Sequence, residues 1–457
     1  MPEFRHRSLL PYSADEVFAW HMRPGALERL TPPWADVRVL DRVGGIQDGG
    51  TVTLSVKQGP TALKWVVRHT AFEEGRLFQD EQVSGPFGKW VHAHRFLPGE
   101  EGGCVLEDLV DWLPPLGGTG RFFAEGFIHR ELKRLFSFRH ARLRHDMDLH
   151  ARYGRGGART VAVTGASGLL GEALRHFLTA GGHSVVPLSR RRTAGTVFWD
   201  PVKGAIDADA LRGVDGVVHL AGEPIFGLRW TEEKKARILE SRQRGTDLLS
   251  RTLAGLSKKP AVLVSASAVG YYGDRGPTLI TEESAPGKGF LARVCQAWED
   301  ATAPAKRAGI RVVTLRTGMV LTARGGALGT MLLPFKIGLG GRLGSGRQYV
   351  SWIDLDDEIG LIYHALATAG VKGPLNATAP HPVPNSTFTD TLGRVLGRPT
   401  LIPVPPLAVR ALFGEMGQTL LLDGARVVPK KAEATGFEFR YPSLEESLRF
   451  QLGKPEG

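Results

Sequence analysis

The chain runs to 457 residues with a formal charge of +11, too long for one ordinary core, so at least two domains are expected. Its hydrophobic (42%) and charged (23%) fractions exclude a disordered or fibrous protein, and no apolar run reaches the roughly eighteen residues of a membrane span. The opening Met1-Pro-Glu-Phe-Arg-His-Arg7 lacks the apolar stretch of a signal peptide, which points to the cytoplasm. Cys104 and Cys295 lie far apart and form neither a disulfide framework nor a metal-ligand spacing, so reduced, buried thiols are expected.

Residues 1–150 read as an α+β domain: a strand, helices around Ala14 to Leu30, several strands, and a long final helix. Alternation of aromatic or β-branched residues with polar ones predicts strands at Thr51 to Lys57, Thr61 to Phe72, Leu77 to Val83, Trp90 to Leu97 and Cys104 to Leu113. A curved sheet gripping the final helix is the simplest packing. Trp34, Trp65, Phe87, Trp90 and Trp112 either line a cavity for a hydrophobic ligand or form plain core. His92 and His94 share one strand face; a metal there needs a third ligand that the sequence does not reveal, so ordinary polar partners are expected.

The densest basic stretch, Arg121 to Arg159, contains Arg130, Lys133, Arg134, Arg139, Arg142 and Arg144. Phe123, Phe127, Leu132, Leu135 and Phe138 recur near helical spacing, which predicts an amphipathic helix with its arginines on the solvated face rather than a nucleic-acid site. Ala151-Arg-Tyr-Gly-Arg-Gly-Gly-Ala158 then reads as a linker (151–158).

Beyond it, strands alternate with helices: Arg159 to Thr164, a helix from Leu169 to Ala180, then strands at His183 to Ser189, Gly216 to Leu220, Ala261 to Ser267 and Arg311 to Arg316. This order calls for an α/β doubly wound parallel sheet over 159–395. Residues 396–457 form a smaller C-terminal lobe. In it Pro403-Val-Pro-Pro406, a Leu407 to Phe413 helix and Gly436-Phe-Glu-Phe-Arg-Tyr-Pro442 are expected to pack over the mouth of the cleft.

Thr164-Gly-Ala-Ser-Gly-Leu-Leu-Gly171 stands between a strand and a helix. Gly165, Gly168 and Gly171 therefore fall where a tight turn, close approach of a pyrophosphate and close helix packing each exclude a Cβ. Thr164, Ser167, Leu169 and Leu170 complete this cradle, whose helix offers free amides to phosphates. At the end of the next strand, where an acidic residue would hold the ribose hydroxyls of NAD, stands Ser189-Arg-Arg-Arg192. Guanidiniums there suit the 2′-phosphate of NADP, with Arg190 first and Arg191 second. Leu220, Ala221, Gly222 and Glu223 close a third strand at the cleft; Glu223 is either a cleft carboxylate or a loop cap. Arg342, Arg347 and Gln348 sit in a glycine-rich loop suited to an anionic substrate group. Asp354 and Asp356 read as turn-forming and helix-capping.

These motifs resemble the extended short-chain dehydrogenase/reductase superfamily. Val217-Val-His-Leu-Ala-Gly222, Arg229-Trp230, Glu240-Ser-Arg242, Ser265-Ala-Ser-Ala-Val-Gly-Tyr-Tyr-Gly273, Gly340-Gly-Arg-Leu-Gly-Ser-Gly-Arg-Gln348 and Ser351-Trp-Ile-Asp354 narrow the match to its atypical branch, the NAD-dependent epimerase/dehydratase-like proteins. The resemblance covers nearly all of 159–450, and Arg426-Val-Val-Pro-Lys430 with Phe437-Glu-Phe-Arg-Tyr-Pro442 looks like that branch's extra C-terminal region. It implies a homodimer, a nicotinamide pocket lined by Arg316, Gly318 and Met319, and Ser267 in the superfamily's serine position. The Tyr-x-x-x-Lys element is missing: Leu291 and Cys295 fall where Tyr and Lys belong. Tyr271 and Tyr272 are the substitute acids, or they only pack.

Residues 1–150 resemble the START-like, polyketide-cyclase-like helix-grip class in pattern, through Phe4-Arg-His-Arg-Ser8, Val17-Phe-Ala-Trp20, Leu30-Thr-Pro-Pro-Trp34 and Gly85-Pro-Phe-Gly-Lys-Trp90. Two functions follow from the whole. One is an NADP-dependent oxidoreductase or epimerase-like enzyme acting on a small molecule; the other is a non-catalytic NADP-binding sensor or scaffold.

Overall fold

The computed structural model describes residues 2–59, 61–114, 117–227 and 229–454, with side chains described at all of these except 58 and 117–124. The side chains of Arg121 and Phe123 therefore lie outside the described residues.

Strand β1 (Glu3–Leu10) leads to α1 (Ala14–Met22) and α2 (Ala26–Leu30). Ser13 opens α1 through a capping box, its hydroxyl accepting from Glu16 N while the Glu16 carboxylate accepts from Ser13 N. Then come β2 (Val37–Val43), β3 (Thr51–Gln58), β4 (Thr61–Glu73), β5 (Leu77–Ser84), β6 (Lys89–Pro98), β7 (Cys104–Leu113) and the long α3 (Gly117–Tyr153). The strands form one antiparallel sheet in the order β1-β7-β6-β5-β4-β3-β2. Its inner face packs on α3 through Phe4, Trp90, Val110 and Trp112 against Leu132 and Phe136. Trp65 lies edge-on to Trp90 at 5.2 Å with Phe87 alongside, and Trp34 packs under the Arg134 guanidinium.

Two expectations for α3 need correction. Phe127 is 58% exposed and so stands outside the apolar stripe, in which Leu132 and Phe138 are buried. Arg142 is buried, donating to Asp356 at 2.7 Å and stacking on Phe138, so the basic residues do not all face solvent.

The second half runs β8 (Thr160–Thr164), α4 (Leu169–Ala180), β9 (Ser184–Ser189), β10 (Val197–Asp200), β11 (Ala205–Ile206), β12 (Gly216–His219), α5 (Glu232–Gly255), β13 (Val262–Ala268), β14 (Gly276–Ile280), α6 (Phe290–Asp300), α7 (Ala303–Arg307) and β15 (Arg311–Thr317). It continues with β16 (Met319–Leu321), α8 (Gly326–Lys336), β17 (Tyr349–Val350), β18 (Trp352–Asp354), α9 (Leu355–Ala367), β19 (Gly373–Ala377), β20 (Val383–Pro384) and α10 (Asn385–Leu396). The chain ends with α11 (Pro406–Gly417), β21 (Ala425–Val427), α12 (Lys430–Ala434) and α13 (Leu444–Leu452).

Eight strands form the main sheet in the order β11-β10-β9-β8-β12-β13-β15-β19, parallel except at the β10–β11 edge. Strand β8 lies between β9 and β12, so the order reverses there and a crevice opens beyond its carboxyl end, where doubly wound sheets take ligands. One face buries Leu174 and Phe177 of α4 with Ile359 and Ile362 of α9; the other buries Leu249 and Leu253 of α5 with Ala305 of α7.

The halves share a continuous seam. Leu149 of α3 belongs to the same core as α4 and α9, and α3 runs on to Tyr153, past the expected edge at residue 150. Arg29 grips Asp146 with two bonds of 2.7 and 2.6 Å and reaches Asp356 at 3.0 Å. Burial pushes the Asp356 carboxyl up, but the Arg142 and Arg29 guanidiniums outweigh it and hold it at about 2. Asp354 caps α9 as expected, accepting from Asp356 N, whereas the Asp356 side chain joins the two halves instead of capping. The Gly436–Pro442 segment also differs from expectation. Phe437 packs into the α4–α9 core and Asp357 accepts from Arg440 N and Tyr441 N, so this stretch lies along α9 rather than over the cleft. Helix α11 instead sets Met416 and Phe413 against Trp230, Ile238 and Phe290.

Candidate functional site

The site grows from the turn after β8. Gly165 adopts φ +68°, and a Cβ there would lie 3.0 Å from Ala221 N. A Cβ on Gly171 would lie 2.2 Å from Gly165 O, so α4 starts against the turn only because both residues are glycine. Gly168 is the N-cap of the twelve-residue α4, and it is exposed together with Ser167 while Leu169 and Leu170 are half-buried. Thr164 plays a different part from the one expected. It is fully buried, and its hydroxyl oxygen accepts from Leu220 N and Ala221 N at 3.1 and 3.2 Å, tying β8 to the end of β12.

At the end of β9, Ser189 Oγ accepts from Arg191 N at 3.0 Å. Arg192 is engaged with Asp207 and lies over Phe198, 4.2 Å from its ring centre. Arg190 and Arg191 are exposed, and neither forms an ion pair among the described residues. Across the crevice Glu223 accepts from Lys234 Nζ at 2.7 Å, and that hydrogen bond holds its carboxyl below the usual range. Its backbone is clamped by Ser241 and Arg242. Glu223 is thus an ion-paired carboxylate that anchors the loop beside Gly222.

Ser267 stands one residue before the end of β13, its hydroxyl donating to Glu299 Oε1 at 2.7 Å. Glu299 accepts twice from Arg316, from Nε and Nη2, each at 2.8 Å. Arg316 Nη1 donates to Tyr272 Oη at 2.9 Å, and that hydroxyl donates to Asn376 Oδ1 at 2.7 Å. The Arg316 guanidinium also covers the Tyr271 ring at 3.5 Å. Tyr272 is wholly buried, and burial pushes its phenol up to about 12. It therefore locks Arg316 in place, which corrects its assignment as an acid; Tyr271 is half-buried. Cys295 is buried as well, its thiol pushed up to about 12 chiefly by burial.

Other expected contacts are committed within the protein. Gly318 N donates to Ala377 O and Met319 N to Ser351 O, so the amides of this stretch are not available to a nucleotide, and neither is the Arg316 side chain. The Gln348 amide donates to Leu343 O and Leu421 O, both at 3.0 Å, holding its loop closed. Arg342 and Arg347 in the same loop are exposed.

Glu299 is the residue that sequence reasoning missed. It follows Cys295 by one helical turn on α6, and this i, i+4 spacing from the lost lysine position was the available signal. Asp80 was missed too: it sits on β5 directly opposite His92 and supplies the third potential metal ligand. His92 also has the ordinary polar partner expected for it, Asp108, at 2.8 Å.

A glycine cradle at a sheet switch point, a serine near the end of β13 and an arginine-tipped β9 define a dinucleotide-binding protein class of the extended short-chain dehydrogenase/reductase type. Residues 161–377 match the NAD dependent epimerase/dehydratase family, residues 10–136 match polyketide cyclase / dehydrase and lipid transport proteins, and residues 404–451 match a domain of unknown function. The chain is 43% identical over 297 residues to an epimerase family protein of Mycobacterium bovis, covering 65% of this chain and 98% of that one. It is 38% identical to the human epimerase family protein SDR39U1, covering 63% of this chain and 98% of that one. The chain belongs to this epimerase family.

Its architecture matches the nucleoside-diphosphate sugar epimerase of Corynebacterium glutamicum with a TM-score of 0.82 and 34% identity, over 99% of this chain and 90% of that one. The structure of human SDR39U1 with NADPH aligns at TM-score 0.60 and 36% identity, over 64% of this chain and 99% of that one.

Proposed function

We propose that this chain is an NADP(H)-dependent oxidoreductase or epimerase-like enzyme acting on a small molecule. The observation that carries the reading is the pair of exposed guanidiniums, Arg190 and Arg191, neither ion-paired among the described residues, at the tip of β9 beside a glycine cradle. A 2′-phosphate offers them charge-assisted, bidentate bonds that the hydroxyl of NAD does not. The cradle fits the rest of a dinucleotide: Gly165, Ser167, Gly168 and Gly171 leave the α4 N-terminus open to a pyrophosphate, and Leu220 to Gly222 border the same crevice. That human SDR39U1 was solved with NADPH agrees with this choice of nucleotide.

When bound, the nicotinamide would supply a hydride acceptor or donor. On the protein side, Ser267 orients the substrate oxygen and Tyr271 handles its proton. Glu299, Arg316 and Tyr272 act one step further out, fixing the Ser267 hydroxyl and the face of Tyr271. Arg342 and Arg347 would meet an anionic group on the substrate.

A second reading, an NADP-binding sensor, is favoured by one observation: the Ser267 hydroxyl is already committed to Glu299, and Leu291 and Cys295 offer neither proton donor nor ammonium. The readings separate in a turnover assay with NADPH and a broad panel of carbonyl compounds and nucleotide sugars. The enzyme reading expects a substrate whose turnover falls at least about tenfold in Ser267→Ala while NADPH affinity is unchanged. Absence of hydride loss across the panel, with NADPH bound, would favour the sensor.

A further inference from the structure

The inner face of the N-terminal sheet carries a polar island that the proposed chemistry does not use. Strand alternation sets Asp80 on β5, His92 and His94 on β6 and Asp108 on β7 toward α3, from which His140 reaches Asp108. In register, Asp80 faces His92 and Asp108 faces His94. His92 is 3% exposed, His94 8% and Asp108 2%.

Asp80 Oδ2 lies 3.2 Å from His92 Nδ1 and 3.7 Å from His94 Nε2, and one ligand atom from each residue falls within 4.8 Å of the others. Ligand bonds of about 2.0–2.1 Å in a tetrahedron give ligand-to-ligand edges of roughly 3.3 Å, so one ion centre can serve all three. The opposite ring nitrogens, His92 Nε2 and His94 Nδ1, lie 2.8 and 2.7 Å from a single oxygen, Asp108 Oδ1. The second Asp108 oxygen is paired with His140, whose other nitrogen lies 2.8 Å from Ser8 Oγ. Asp108, hydrogen-bonded to His92 Nε2, is carboxylate backing of the kind that fixes a ligand imidazole's tautomer and turns its other lone pair toward the ion.

Among the described residues His94 Nδ1 has no aligned hydrogen bond, nor does Nδ1 of His69, the cross-strand neighbour of Asp80 on β4. An ion on His94 Nε2 would join that ring to Asp80 across the 3.7 Å between them.

We propose that Asp80, His92 and His94 form a divalent transition-metal site inside the N-terminal domain, zinc by its donor set, with Asp108 as the backing carboxylate. Two imidazoles and one carboxylate on a closed sheet face match the nitrogen and oxygen ligands zinc takes at four-coordinate sites.

The test uses tag-free full-length protein, stripped with chelator, dialysed and titrated with Co²⁺ and then Zn²⁺. The expected result is one equivalent of Co²⁺ with the visible absorption of a tetrahedral ion, displaced by one equivalent of Zn²⁺. His94→Asn and Asp80→Asn should each weaken the metal at least about tenfold, and Asp108→Asn about 10–100-fold, while NADPH titration and circular dichroism stay at native values. Because a variant could disturb the sheet, the cobalt spectrum of the unmutated protein is an independent readout. Failure of the native protein to take up stoichiometric Co²⁺ or Zn²⁺ at micromolar concentration would overturn the assignment. So would uptake of equal affinity in the folded His94→Asn protein.

Discussion

Arg190 and Arg192 are two residues apart and chemically identical, yet their surroundings separate them. Arg192 is held by Asp207 and stacked on Phe198, whereas Arg190 is exposed and has no ion-pair partner among the described residues. A charge-assisted hydrogen bond contributes about 1.5–3 kcal/mol. Arg190→Ala is therefore expected to weaken NADPH binding by about 10–100-fold in a calorimetric titration and leave NADH binding almost unchanged. Equal weakening of both would mean that the residue shapes the loop instead of reading the phosphate. Gly171 illustrates the opposite kind of residue, one defined by the absence of a side chain, since any Cβ would collide with Gly165 O.

At the level of elements, α9 does the most to join the molecule. Its first turn carries Asp356, which receives both Arg29 and Arg142 from the N-terminal half, and Asp357, which accepts two amides from the C-terminal region. Removing one partner from a buried ion network costs about 3–5 kcal/mol because the remaining charges stay buried. Asp356→Asn is thus predicted to lower the thermal midpoint markedly, and Asp356→Asn combined with Arg142→Met to recover part of that loss. If the single variant melts like the native protein, the triad is not holding the halves together.

The strands of the first domain and β8, α4, β9, β12, β13 and β15 were legible because each follows a plain periodicity bounded by glycine or proline. Strand β2 was not read, and five of its seven residues are exposed, so its alternation carries little hydrophobic signal. The glycine cradle was legible because its spacing answers a local steric demand. The Glu299–Arg316–Tyr272 network and the Asp80–His92–His94 group were not, since each joins residues distant in sequence through the fold. Asp356 was misread for the same reason: its partners lie more than two hundred residues upstream.

Two buried carboxyls tie the stability of the whole molecule to pH. Burial raises Glu358 to about 8 and Asp357 to about 7, against ordinary values near 4. Both are neutral in the fold at low pH, while the unfolded chain ionises first as pH rises. Their contribution to stability is therefore complete below about pH 4 and is lost progressively up to pH 8. Glu358 is fully buried, bonded to Thr317 through one oxygen, and its other oxygen has no hydrogen-bond partner among the described residues. Glu358→Gln should accordingly flatten the fall of the thermal midpoint between pH 5 and pH 8. An unchanged slope would locate the pH dependence elsewhere.

Function turns on which nucleotide the crevice holds, so the most direct measurement is calorimetric titration of the native protein with NADPH and, separately, with NADH. Stoichiometric binding of NADPH at least about tenfold tighter than NADH is the result the Arg190 and Arg191 geometry predicts. Binding of neither nucleotide would contradict the account, because the cradle from Gly165 to Gly171 would then be a packing device and not a ligand site.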